Sequence, residues 1–235
     1  MHHKLIVTED GSHSLFVEEL NEHYHSVHGA IKESKHVFIE AGLKHVSSLK
    51  SKAAGKAAHI SLLEVGFGTG LNTFLTILES QKLPHLIDYV TLEAYPLNND
   101  VITSLNYSNL LVEQANADVA LQLLFNMMHL AEWNKTVGLT SKFNLHKIHN
   151  TLQQAKLNDT FDLVYYDAFG PTAQPEMWEH SVFSKLWDVM SSDGVLVTYC
   201  AKGSVKRILK AIGFHVEALP GPPGKREMIR ATKMV

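Results

Sequence analysis

The stretch "LLEVGFGTGLN", Leu62 to Asn72, decides the reading of this chain. An apolar run typical of a buried strand meets glycines at positions 66, 68 and 70, and a periodic segment, "LNTFLTILES", follows at once. A strand that ends in such a turn and opens directly into a helix presents backbone N–H groups to whatever approaches. The spacing is GxGxG, with Leu71 where a dinucleotide fingerprint would place its last glycine. The next apolar strand, "YVTLEA", ends on Glu93, at a distance suited to accepting both hydroxyls of a ribose. Turn and acid together read as a nucleoside site, with S-adenosylmethionine the favoured ligand. The alternative is a tight strand-to-helix turn with Glu93 as a solvated strand end.

Outward from this turn, strands and helices alternate. "ISLLEV", "LIDYVTLEA", "KFNLHKIH", "FDLVYYDAF" and "GVLVTYC" read as strands, and "VALQLLFNMMHLAEW", "TLQQAKL", "EMWEHSVFSKLWDVM" and "VKRILKAI" lie between and after them. Such alternation predicts a doubly wound, mostly parallel sheet. Upstream, two short β-type runs flank Asp10-Gly11, the signature of a hairpin. "AIKESKHVFIEAGL" predicts a one-sided helix ending at Gly42, and "SSLKSKAAGKAAH" reads as a linker. The expected organisation is an extension over residues 1–55 packed on a main domain over 56–235.

Composition bounds the function. A chain of 235 residues, 45% hydrophobic and 19% charged, can bury one large core, and its formal charge of −3 requires any nucleic-acid partner to be held by a local patch. The single cysteine, Cys200, excludes an internal disulfide framework, no apolar run reaches membrane-span length, and "MHHKLIVTEDG" does not read as a signal peptide; a cytoplasmic location is expected. Fifteen histidines, His23, His25 and His28 among them, lack the accompanying cysteine or carboxylate pattern of a metal site, so no metal is expected. Cys200 reads as a buried structural thiol.

Two further segments carry chemistry. "FDLVYYDAFGPTAQPEMW" delivers Asp167 at the carboxyl end of a strand, where open α/β sheets bind their ligands. A carboxylate there can accept hydrogen bonds from an amine and aim its lone pair at an electrophilic methyl group; a helix-capping aspartate is the alternative. "GPPGKREMIR" gathers Lys225, Arg226 and Arg230 after a rigid turn, as phosphate positioning requires and as a solvated charge run would also do.

"HYHSVHGAIKESKHVF", "GFGTGLN", "LEAYPL", "YDAFGPTAQPEMW" and "GPPGKREMIRA", in this order, resemble the methyltransferase half of the bacterial tRNA 5-methylaminomethyl-2-thiouridine enzyme family, MnmC, over most of the chain. The resemblance implies a Rossmann-like class I S-adenosylmethionine-dependent methyltransferase: a mostly parallel sheet with helices on both faces, plus a small N-terminal hairpin and helix extension. It implies methylation of the exocyclic amine of an aminomethyl-uridine at the tRNA wobble position. It places Glu64, Gly66, Gly68, Gly70, Asn72, Glu93 and Asn150 at the cofactor, Asp167 and Tyr24 in the catalytic centre, and Phe169, Pro171, Lys225 and Arg226 on the substrate side. Asn150 stands where the family has an acidic residue for the adenine amino group, and "PPG" stands where the family has phenylalanine-glycine-arginine. Fused members carry a flavin-dependent oxidase domain for which this chain has no room, so a stand-alone methyltransferase served by a separate oxidase or modification enzyme is expected. A small-molecule amine methyltransferase and a non-catalytic S-adenosylmethionine-binding regulatory module are the competing readings.

Overall fold

The computed structural model describes residues 2–54, 59–115 and 120–234. Its N-terminal part is a three-stranded antiparallel sheet of β1 (His3–Val7), β2 (His13–Val17) and β3 (Glu22–His23). β1 and β2 form the hairpin expected at Asp10-Gly11, with Leu5 opposite Leu15.

A helical stretch follows, made of α1 (Ala30–Ser34), a π-helical segment over Lys35–Lys44, and α2 (His45–Ala54). The helix expected to end at Gly42 runs through it. A Cβ on Gly42 would lie 3.0 Å from a Val197 methyl and 3.2 Å from the Tyr165 ring, so this glycine permits close approach to the sheet and does not cap the helix. Most of the expected linker is therefore α2; residues 55–58 lie outside the described residues.

The main sheet contains β4 (Ile60–Val65), β5 (Ile87–Glu93), β6 (Thr136–Thr140), β7 (Phe143–His149), β8 (Phe161–Tyr166), β9 (Met190–Thr198), β10 (His215–Pro220) and β11 (Glu227–Thr232). Among the described residues its order is β10-β11-β9-β8-β4-β5-β7-β6. The five inner strands from β9 to β7 run parallel; β6 is antiparallel to β7, and β11 is antiparallel to both of its neighbours, β9 and β10.

Period-2 alternation divides the core between the two faces. Leu62, Tyr89, Leu163, Tyr165 and Val197 pack on one side, beneath the helical stretch that includes Phe38 and Leu43 and beneath α3 (Leu71–Ser80). Leu63, Val65, Val90, Val164 and Leu196 pack on the other, against Phe183 and Leu186 of α7 (His180–Val189) and Leu209 of α8 (Gly203–Ile212). Three short helices, α4 (Asn99–Thr103), α5 (Tyr107–Ala115) and α6 (Ala120–Leu130), fill the connection between β5 and β6. "TLQQAKL" forms turns after β7, with Leu152 and Ala155 its buried residues.

Strand order reverses at β4, which has β8 on one side and β5 on the other. A crevice at the carboxyl ends of these strands is where a sheet of this kind binds its ligand. No described helix is long and apolar enough to cross a membrane.

Candidate active site

The glycine turn leaves β4 in a left-handed path, with φ of +97° at Gly66, +50° at Gly68 and +73° at Gly70, the last opening α3. Gly66 has no room for a side chain: a Cβ would lie 2.7 Å from the Asp167 carbonyl oxygen. The turn is thus locked against the loop that follows β8. At Gly68 a Cβ would sit 3.1 Å from two carbons of the Tyr24 ring.

Glu93 ends β5 directly beside this turn. Its Oε2 accepts the Gly68 N–H at 2.9 Å and its Oε1 accepts the Tyr95 N–H at 2.8 Å. A carboxylate has about four lone-pair directions, so both oxygens of this cleft-lining residue retain acceptor capacity. Asn150 follows β7; its backbone N–H donates to the Glu93 carbonyl at 3.1 Å, and its Oδ1 accepts the Thr151 N–H at 2.8 Å.

Asp167 sits just past β8, its backbone N–H donating to the Val65 carbonyl at 3.0 Å. Its Oδ2 accepts the Asn72 side-chain amide at 2.7 Å, which ties β8 to the first turn of α3. Burial pushes the Asp167 carboxyl up to about 7; the Asn72 hydrogen bond opposes the rise, nearby Glu33 adds to it and Lys225 opposes it. Tyr24 meets Phe169 edge to face with ring centroids 5.0 Å apart. Burial, and secondarily the charge of Glu93, hold the Tyr24 hydroxyl in its protonated form.

These groups surround a cleft of about 790 Å³, within the size range of small-ligand sites. Gly66, Gly68, Asn72, Glu93, Asn150, Asp167, Tyr24, Phe169 and Lys225 line it. Glu64, Gly70, Pro171 and Arg226 do not. Glu64 is fully buried beneath the turn, where its Oε2 accepts the hydroxyls of Thr73 at 2.9 Å and Thr91 at 2.7 Å. Burial raises its carboxyl to about 8, against the pull of the threonine hydrogen bonds. Gly70 faces Met128 and His129, and Arg226 is exposed on the loop before β11. Arg230, expected beside Lys225 and Arg226, is instead engaged by Glu217 through two hydrogen bonds of 2.9 and 3.1 Å.

Sequence reasoning passed over Glu33, Thr69, Met177 and Tyr199, all on the cleft wall. His25 bonds Thr69 through its Nε2 at 2.9 Å, and burial lowers it to about 4, so it is neutral. Cys200 is buried, as a structural thiol would be. No group of three or more His, Cys, Asp and Glu side chains among the described residues could hold a metal ion.

A glycine turn at the switch point, an acid at the end of the adjacent strand and a carboxylate across the crevice define the class, and residues 111–234 match the family of S-adenosyl-L-methionine-dependent methyltransferases. The chain belongs to that family. It is similar to the tRNA 5-methylaminomethyl-2-thiouridine biosynthesis bifunctional protein MnmC of Magnetococcus marinus, 32% identical over 220 residues that cover 88% of this chain and 30% of that protein. The protein of the same name from Aromatoleum aromaticum is 30% identical over 216 residues, covering 88% of this chain and 32% of its own. The chain therefore spans about a third of the length of these relatives. In fold it is similar to the crystal structure of MnmC2 from Aquifex aeolicus, with a TM-score of 0.76 and 22% identity over 100% of this chain and 71% of that one.

The cleft fits S-adenosylmethionine on its own geometry. Glu93 offers carboxylate oxygens beside the Gly68 N–H, and Asn72 keeps its Oδ1 buried without a hydrogen-bond partner. A buried orphan acceptor is costly unless a ligand donor meets it.

Proposed function

We propose that this chain N-methylates the aminomethyl group of a modified wobble uridine in tRNA, with residues 1–55 serving as an extension of a methyltransferase domain over 56–235. The observation that carries the reading is Asp167, a carboxylate that lines the crevice at the end of β8 and is held there by the Asn72 amide at 2.7 Å. The similarity to MnmC proteins, named for 5-methylaminomethyl-2-thiouridine, supplies the acceptor class.

Bound S-adenosylmethionine supplies a methyl group activated by its sulfonium. In this reading Gly66, Gly68, Asn72, Glu93 and Asn150 hold it, Glu93 through the ribose hydroxyls, while Glu64 and Gly70 support the turn from behind. Asp167, steadied by Asn72, accepts a hydrogen bond from the acceptor amine, turns its lone pair toward the methyl group and takes its proton. The Tyr24–Phe169 pair gives the base an aromatic wall and keeps water from the amine, and Pro171 stiffens the loop that carries Phe169. Arg226 contacts phosphate from the exposed loop beside Lys225. The site of action is the cytoplasm, and an oxidase or other modification activity delivers the aminomethyl group.

The test is incubation of the purified protein with labelled S-adenosylmethionine and tRNA bearing 5-aminomethyl-2-thiouridine, followed by nucleoside mass spectrometry. One added methyl on that nucleoside is expected. Methylation of free amines without any of tRNA would move the chain to small-molecule chemistry, and binding without turnover on either would make it a regulatory module.

A further inference from the structure

Glu33, Tyr199 and Lys225 meet on the wall of the cleft, next to Asp167. Glu33 belongs to α1 and its side chain is only 7% exposed. Its Oε2 accepts the Ser26 backbone N–H at 2.7 Å, and its Oε1 accepts the Lys225 ammonium at 2.5 Å. That ammonium also lies 3.9 Å from the centre of the Tyr199 ring. Tyr199 in turn donates its hydroxyl to the Ala168 carbonyl at 2.8 Å, one residue beyond Asp167.

A buried carboxylate next to an aromatic face is a receptor for an ammonium group, since both attract positive charge and neither donates a competing hydrogen bond. Here a lysine fills it. Lys225 reaches in from a tight turn, Gly221 to Arg226, closed by a bond from the Gly221 N–H to the Arg226 carbonyl at 3.1 Å. Its side chain remains 32% exposed, whereas Glu33 is sequestered. Among the residues lining the cleft, Lys225 carries the one Lys or Arg charge, against Glu22, Glu33, Glu93, Asp167 and Glu176. A cleft of that sign suits a cationic guest.

We infer that Glu33 and the Tyr199 ring form a subsite for the ammonium form of the acceptor amine, and that Lys225 occupies this subsite until the acceptor displaces it. The inference rests on the proposed amine acceptor and adds to it the group that first receives the amine. Lys225 thereby becomes an internal stand-in for the substrate, setting a threshold that a nucleoside without the amine does not cross.

The test uses 5-aminomethyluridine as probe and 5-hydroxymethyluridine as its neutral control, with binding read by calorimetry and stability by thermal denaturation. Lys225→Ala leaves the Glu33 carboxylate buried and unpaired, which lowers the Tm. The aminomethyl probe should restore that Tm and bind this variant on the order of tenfold more tightly than it binds the wild type, while the hydroxymethyl control does neither. Glu33→Gln should remove the preference for the amine. Should Lys225→Ala fail to fold, Lys225→Gln, which keeps a hydrogen-bond donor of similar reach without charge, carries the same comparison. Equal binding of the two nucleosides by the Lys225 variants, or no gain over the wild type, would overturn the subsite. None of these readouts requires turnover, so a failure of tRNA methylation would count against the proposed reaction and leave the amine preference to be judged separately.

Discussion

The side-chain amide of Asn72 meets the carboxylate of Asp167 across 2.7 Å, joining the helix that opens from the glycine turn to the strand that faces it. The bond holds one oxygen of this cleft-lining carboxylate in place. It also orients Asn72 so that its own oxygen stays unpartnered. On the proposed reading, a single contact sets the cofactor side and the acceptor side of the site together.

Asp167→Asn keeps the shape of this contact and removes the charge. Turnover on tRNA carrying the aminomethyl group is expected to fall on the order of 10²-fold, with S-adenosylmethionine affinity within a few-fold of wild type. Wild-type turnover should rise with pH through about 7 as Asp167 ionises. Stability moves the other way. The folded carboxyl holds its proton up to about 7, against an ordinary value of 3.8, so the folded chain binds more protons than the unfolded chain in that window and loses stability as pH rises through it. The variant escapes that loss, and its Tm relative to wild type should increase between about pH 4 and about pH 7 and level off above. A flat difference together with wild-type turnover would remove Asp167 from the chemistry.

Glu93→Ala should weaken S-adenosylmethionine by about 1–3 kcal/mol in calorimetry, because it removes a charged acceptor from the Gly68 N–H and from the ribose together. Unchanged affinity would return Glu93 to the role of a turn-stabilising strand end.

The two leading glycines should respond differently to alanine. Gly66→Ala adds a methyl 2.7 Å from a backbone oxygen at φ +97°, and the Tm should drop sharply as the β8 loop is pushed away. At Gly68, φ is +50° and the neighbour is a ring edge at 3.1 Å, so the cost should be nearer the ~1 kcal/mol of a left-handed residue, with the loss appearing mainly as weakened ligand binding. Equal destabilisation in thermal melts would show that the glycines serve the turn alone.

Glu64→Gln separates support from contact. The Glu64 carboxyl is held protonated up to about 8 against an ordinary value of 4.5, so the wild type should lose stability as pH rises toward 8 while the glutamine variant does not. Cofactor affinity should change less than about threefold, since the side chain is buried behind the turn and does not line the cleft. A large loss of affinity with an unchanged pH–stability curve would make Glu64 a direct ligand.

The parts of this architecture that the sequence made legible are those whose causes are local. Apolar runs ending in Gly66, Glu93 and Asp167 each carry a strand period and a functional residue at the carboxyl end, so alternation alone brings them to one edge of the sheet. Gly42 was misleading for a physical reason: a glycine after a one-sided apolar period reads as a helix end, whereas here it gives way to Tyr165 and Val197 from strands more than a hundred residues away. The same distance hid Glu33. Its bond to Lys225 joins positions 192 apart, and nothing near either residue announces the other. The resemblance puts Glu64 and Gly70 at the cofactor with the rest of the turn, whereas neither lines the cleft, because sequence adjacency does not tell the front of a turn from its back.

The position of β11 has a consequence for how the chain comes together. Residues 227–232 follow every other strand yet lie between β9 and β10, antiparallel to both. Until they dock, β9 presents an unpaired row of N–H and C=O groups and β10 has no strand to join, the condition in which sheet edges recruit other chains. The same insertion carries in the turn that bears Lys225. The pairing of β11 thus covers the facing edges of β9 and β10 and at the same time seats the turn that bears Lys225, so the integrity of the sheet at this end and the rim of the cleft depend on one strand.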